Sequence, residues 1–377
     1  MAKLRRPIVQ TRRDAWVEVN LGHVEHNINI LKKIIKPGSQ LMAVVKADAY
    51  GHGADMIAST LIASGANMLG VASVDEGIQL REAGISAPIL VLGVTPDWAF
   101  TSAVENDIQL SIFTQTHINS CIRAYERLNR KPSAHIKVDT GMRRIGIDYK
   151  KAKEFIEKVA GIEEIKLKGI FSHLACAENP EITQEQQQRW ESLLEQIDRD
   201  KYILHLVNTA GMISYKDMNY DMTRVGIGIY GLLPDLQGKA PSLKQVMSLK
   251  GRITYMQEVC ENSGISYGYS YKTGDKPAKI ATIPVGYADG VSRGLSNKIY
   301  GIVKGHKVPQ VGNITMDQMM FDITGLDGIN TGDVITVLGE DGGEFIPIDD
   351  WAKKLNTINY EITCRLKVRL SRVYTRS

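Results

Sequence analysis

The chain has 377 residues, with 46 basic and 42 acidic side chains and a formal net charge of +4. Its 43% apolar and 23% charged content is ordinary for a globular protein with room for two domains. Charge this balanced excludes an electrostatic case for nucleic acid or a membrane surface as partner, and no apolar run nears the length of a membrane span.

A basic cluster of Lys3, Arg5, Arg6, Arg12 and Arg13 opens the chain, but no apolar core follows it as in a signal peptide. Residues 16–19 predict a short strand. A stripe of Val24, Ile28, Leu31 and Ile35 predicts a helix over 22–36, stopped by Pro37-Gly38. A regular alternation follows. β-like runs fall near 41–46, 68–72, 88–92, 108–112, 134–139, 167–173, 203–207 and 223–229. Helix-like segments such as 52–64, 75–84, 115–128, 149–160 and 182–199 lie between them. Eight such βα units predict an α/β fold, a (β/α)8 TIM-type barrel. No Gly-x-Gly-x-x-Gly opens an early helix, which weighs against a doubly wound dinucleotide fold. Near residue 235 the pattern changes, with Pro234, Gly238 and Pro241 at the junction. Beyond it, short runs at 251–255, 279–285, 307–311, 319–323 and 333–338, with one helix near 347–355, predict a C-terminal β-rich domain. The expected division is a tail over 1–15, a barrel over 16–236 and a β-rich domain over 237–377, with strand 16–19 free to join the latter. Cys121, Cys176, Cys260 and Cys364 are scattered without metal-ligand spacing, so reduced thiols in a cytoplasmic protein and no metal are expected.

Active sites of such barrels gather at the C-terminal strand ends. Those ends carry Lys46, Lys137 with Asp139, His173, Asn208 with Thr209, and Gly226-Ile227. Lys46 closes the apolar run Leu41–Val45 and opens into Ala-Asp-Ala-Tyr-Gly-His-Gly. A partly desolvated lysine there loses proton affinity and becomes a nucleophile able to form a Schiff base with pyridoxal 5'-phosphate (PLP). Lys137 alternates with apolar neighbours, so it points into the barrel with Asp139. An ordinary ion pair between them is the plain alternative. Arg224 lies on the last barrel strand, next to Gly226 and Gly228. These glycines let backbone N–H groups approach an anion.

Together these strings resemble the alanine racemases, PLP enzymes of fold type III. The resemblance runs in order from residue 40 to 361 and rests on the Lys46–Gly53 segment, Lys137-Val138-Asp139-Thr140-Gly141-Met142 with Arg144 and Gly146, Phe171-Ser172-His173, Arg224–Gly231, Ser266-Tyr267-Gly268, Pro284–Gly290, Thr315–Gln318 and Asn359-Tyr360-Glu361. It implies that Lys46 carries PLP and that Tyr50, Thr209, Gly226, Ile227 and Tyr360 hold the phosphate, with Asn208 and His173 also lining the cofactor. It implies that Arg224 bonds the pyridine nitrogen, oriented by His205, and that Lys137 is a candidate for carbamylation that would steady Arg144. Arg144 would bond the phenolic oxygen and the substrate carboxylate, with Met316 and Asp317 at the substrate. Tyr267, partnered by His173, would be the second base, contributed by the other subunit of a homodimer. The implied reaction is interconversion of L- and D-alanine, which supplies peptidoglycan synthesis. Asn313, Thr315, Glu178 and Ser371 depart from the commonest family residues and bear on the entry corridor and substrate tuning. A serine racemase of the same fold, a related decarboxylase, and a non-catalytic PLP carrier are the competing readings. An arginine rather than an acid at position 224 weighs against the decarboxylase.

Overall fold

The computed structural model describes residues 13–234, 236 and 240–376. The expected tail up to residue 12, and Gly238 of the expected junction, lie outside them. The chain divides into two units, Gly22–Lys244 and Met1–Leu21 with Gln245–Ser377.

The first unit holds eight main parallel strands: β1 (Gln40–Val44), β2 (Met68–Val71), β3 (Ile89–Val91), β4 (Ile108–Ile112), β5 (Ser133–Asp139), β6 (Lys166–Phe171), β7 (Ile203–His205) and β8 (Met222–Val225). They run in the order β8-β1-β2-β3-β4-β5-β6-β7. Backbone bonds from Asp221 N to Leu204 O (3.0 Å) and Arg224 N to Val207 O (3.2 Å) bring the last strands together, so the barrel nearly closes. The strands are near-continuous apolar runs because both faces are covered. Met42, Met68, Leu90 and Met222 form one buried cluster, with Leu92 and Ile203 packed on it. The helices start where side chains accept the free N–H groups of their first turns. Ser73, Thr114, Asp148 and Asn179 are such caps, and Pro180 follows the last of them.

Two predicted elements differ. The run 223–229 ends as a strand at Val225, because Gly226 turns the chain into a single turn of 3-10 helix over Ile227–Tyr230. The helix expected over 52–64 begins only at Ala54. A left-handed turn precedes it.

The second unit is built on one ten-stranded sheet. Ala15–Asn20 belongs here, antiparallel to Met247–Arg252 and parallel to Ser371–Thr375. The predicted run 251–255 is the junction of two strands, Met247–Arg252 and Tyr255–Val259. Strands Tyr300–Val303, Glu344–Ile346 and Ser371–Thr375 were not expected. Within this unit Asp289 is fully buried and held by Arg13, whose second terminal nitrogen lies 2.9 Å from Asp289 Oδ2. Arg369 bonds Asp317 at 2.6 Å. Among the described residues no helix is long and apolar enough to cross a membrane.

Candidate active site at the barrel strand ends

Arg224 is 3% exposed and sits on β8, which pairs with β1 so that Arg224 lies opposite Met42. Its guanidinium is held from several sides. One terminal nitrogen donates to His205 Nδ1 (2.9 Å). The other faces Ser172 O (2.7 Å), Leu206 O (2.8 Å) and His173 Nδ1 (2.9 Å). Burial pushes its pKa down to about 9, which still leaves a cation at neutral pH. Fixed in this way, the fork can only donate.

That one-way donation sets the tautomers behind it. His205 must accept at Nδ1, so Nε2 carries its proton and donates to His135 Nδ1 at 3.0 Å. His135 then donates from Nε2 to Gln109 Oε1 at 3.1 Å. Both rings are fully buried. Burial, with Lys168 and Arg224 adding to it, pushes the His135 pKa down to about 3. Burial first and Arg224 second hold His205 and His173 well below the usual histidine range. The imidazoles are therefore neutral relays and props, not acids. His135 reaches its place because β6 bulges: His135 pairs with Gly169, with a register shift before it. A Cβ on Gly169 would lie 2.4 Å from His135 Nδ1. Phe171 stacks on His205 with ring centroids 4.7 Å apart. Lys137 Nζ lies 4.6 Å from the same ring's centroid.

Lys137 is buried on β5, and burial, then Arg224 and Arg144, hold its pKa well below the ordinary lysine value. The plain alternative, an ion pair with Asp139, is not what forms. Asp139 accepts instead from Gly141 N (2.9 Å) and Arg143 N (3.1 Å) of the following loop. No Lys137–Asp139 ion pair occurs among the described residues. Arg144 is exposed on that loop. Gln186, from the helix Pro180–Leu194, ties the loop to the one after β6. Its Nε2 donates to Thr140 Oγ1 (3.1 Å) and His173 O (3.0 Å), and its Oε1 accepts from Ala175 N (2.7 Å).

Lys46 is half-buried just past β1. The next four residues, Ala47, Asp48, Ala49 and Tyr50, all have φ between 53° and 55°. A left-handed backbone costs a residue with a Cβ about 1–2 kcal/mol. Four in a row mark a turn that its surroundings must over-determine. Tyr50 is buried and packs on Tyr230, ring centroids 5.0 Å apart. Asn208 caps the helix Thr209–Ser214, its side chain accepting from Gly211 N at 2.9 Å. Thr209 Oγ1 accepts the Gly226 N–H at 3.1 Å, so in this arrangement that N–H is directed to Thr209.

The structure thus gathers Lys46, Tyr50, Lys137, His173, Asn208, Thr209, Arg224, Gly226 and Ile227 on the barrel unit, most of them at one rim. Tyr267, Met316, Asp317 and Tyr360 belong to the other unit. The residues fit PLP. A cradle exists at Gly226, where a Cβ would lie 2.6 Å from Tyr50 Oη, and at Gly228, where one would lie 2.7 Å from Thr209 Cγ2. His173 feels the positive charge of Arg224, Arg144 and Lys46 together. A rim this cationic suits a phosphate and a carboxylate. Gln109 and Gln186 carry structural work at the site that no motif announced.

Comparison with known proteins settles the lineage. Residues 19–234 match the family model "Alanine racemase, N-terminal domain", and residues 246–374 match "Alanine racemase, C-terminal domain". The chain belongs to the alanine racemase family. It is 42% identical over 375 residues to an alanine racemase of Nostoc sp., covering 95% of each chain. It is 40% identical over 367 residues to one from Methanococcus maripaludis, covering 95% of this chain and 98% of the relative. Among solved structures, alanine racemase of Clostridium difficile 630 superposes with a TM-score of 0.91 at 34% identity, over 97% of this chain and 96% of that one. The alanine racemase of Bartonella henselae with covalently bound pyridoxal phosphate gives 0.85 at 30% identity, over 96% and 99%.

Proposed function

We propose that this chain is a cytoplasmic, PLP-dependent alanine racemase that interconverts L- and D-alanine by two-base proton transfer at Cα. The observation that carries the reading is Arg224, a buried, immobilised cation on the strand beside the one that leads to Lys46. Bound PLP would withdraw electrons from the substrate and acidify its Cα–H bond. Lys46 anchors the cofactor covalently and serves one face of Cα, returning or removing the proton for the D-enantiomer. Arg224 would face the pyridine nitrogen of bound PLP and has no proton to give at neutral pH. It would therefore keep the ring a weak electron sink, which favours return of a proton to Cα over transamination. Tyr50, Thr209, Tyr360 and the Gly226-Ile227 backbone would hold the phosphate once the Gly226 N–H turns from Thr209, with Asn208 and His173 beside them. Arg144, Met316 and Asp317 receive the amino acid. Lys137, held neutral, is a competent nucleophile for carbon dioxide, and its carbamate would steady Arg144.

Tyr267, from a second copy of the chain, serves the opposite face for the L-enantiomer. Two bases are required because inversion delivers the new proton to the far side. Tyr267 is 74% exposed, and Tyr269 and Tyr255 beside a concavity of about 900 Å³ are 68% and 56% exposed. A cluster of exposed aromatics of this kind supports an interface with a partner, and a homodimer gives Tyr267 a site to complete. The test is incubation with PLP and L-alanine in deuterated water. Cα exchange and D-alanine should appear together, and Lys46→Ala should remove the lysine-bound cofactor absorbance and lower turnover by at least ~10³-fold. Exchange without D-alanine would sink the racemase reading.

A further inference from the structure

The left-handed turn after Lys46 has one anchor that neither the motifs nor the family resemblance identifies. Glu76 lies in the first turn of the helix Val74–Glu82, which follows β2, the strand next to β1. Its own N–H donates to the Ser73 side chain at 3.3 Å. In a capping box a glutamate at this position would reach back to the N–H of the cap residue. Glu76 does something else. One carboxylate oxygen accepts from Ala72 N at 2.7 Å, before the cap, and the other accepts from Ala47 N at 2.8 Å, in the neighbouring βα loop. Ala47 is both the residue after Lys46 and the first left-handed residue of the turn. A single ionised side chain thus bridges two loops and holds the turn where it leaves the lysine. At its other end the turn is closed by Asp48, whose Oδ1 accepts from Ala54 N at 2.8 Å.

We infer that Glu76 is a positioning residue for Lys46: it holds the backbone of the left-handed turn so that the amine stands ready for the cofactor before the cofactor arrives. The inference rests on the reading of Lys46 as the PLP lysine. Ala47, Asp48, Ala49 and Tyr50 have no intrinsic preference for positive φ, so the turn persists only while its neighbours over-determine it. Bonds from N–H groups to an ionised carboxylate are the strong members of such a set. Glu76→Gln leaves one carbonyl acceptor for the two N–H groups, and Glu76→Ala leaves none.

The experiment uses the full chain, wild type and both variants, with and without PLP. Hydrogen exchange of the cofactor-free proteins reads the turn directly. The Ala47 amide should exchange roughly tenfold faster in Glu76→Gln and faster still in Glu76→Ala, while melting temperatures stay close to wild type. Reductive trapping with borohydride, mapped by peptide mass, reads the lysine. PLP should be linked to Lys46 in all three proteins, with affinity falling in the order wild type, Gln, Ala. If wild type carries no PLP on Lys46, the assignment of the lysine is wrong. If wild type is labelled there but all three proteins share the same Ala47 exchange and PLP affinity, Glu76 has no positioning role. A variant in which exchange rises equally along the whole helix 74–82 would also overturn the inference, since that marks a merely structural residue.

Discussion

The interior of the barrel and the exposed aromatic edge of the C-terminal unit are built on opposite principles. Around Arg224 each described polar group is met by another: a guanidinium by two carbonyls and two imidazoles, and an imidazole by a second imidazole and an amide. The Tyr267 segment is left open, with three tyrosines more than half exposed. The difference teaches where the proposed chemistry is preformed. In the proposed mechanism the groups that would govern the cofactor ring are complete within one chain, whereas the second base would come from a second copy. The largest expected effect tests that asymmetry directly. Tyr267→Phe should cut racemisation by roughly 10²–10⁴-fold, the span of one general acid–base group. PLP binding and the trapping of Lys46 should persist, measured by cofactor absorbance alongside polarimetry. Undiminished activity in both directions would erase the contrast between the two regions.

The second effect lies in the interior. The folded-state pKa of His135 is pushed down to about 3 from an ordinary 6.5. Between those values the unfolded chain binds a proton that the folded chain refuses. Its contribution is therefore fully present above pH ~6.5 and is lost as pH falls toward 3. His205 and His173 shift in the same direction. Thermal unfolding should show a melting temperature that drops below pH ~6.5, at up to about 1.4 kcal/mol per pH unit for each such histidine. The slope should be shallower in His135→Leu. The smallest effect concerns Lys137. A buried amine held neutral costs the fold at pH 7, so Lys137→Met should raise stability by ~1 kcal/mol in bicarbonate-free buffer. Scanning calorimetry with and without bicarbonate would read it, and a loss of stability in Lys137→Met without bicarbonate would mean that the amine already has a stabilising partner.

Much of the barrel was legible because parallel strands covered on both faces read as apolar runs. Tyr300–Val303 was missed because Gly301 interrupts its apolar run, and Gly251–Tyr255 misled because two strands abut there. At the site, Lys46 and Arg224 stood out as charges beside apolar runs. The turn after Lys46 did not, since Ala-Asp-Ala-Tyr carries no preference for positive φ. Gln109 is one polar residue in a short apolar run, and all five residues of β4 are buried. It meets His135, and through that ring His205, because the barrel brings β4, β5 and β7 around one axis. Sequence spacing has no signal for that kind of meeting.

Gly169 carries a consequence of its own. The space a side chain would occupy there is filled by His135 on one side and by the Ile203 carbonyl, 2.7 Å from the same point, on the other. No single substitution at 169 can be absorbed by a shift of the ring alone. A side chain at 169 would therefore need both the His135 ring and the β7 backbone at Ile203 to move. A lineage that lost this glycine would be expected to have surrendered the buried imidazole relay as well, and to hold its guanidinium by some other means.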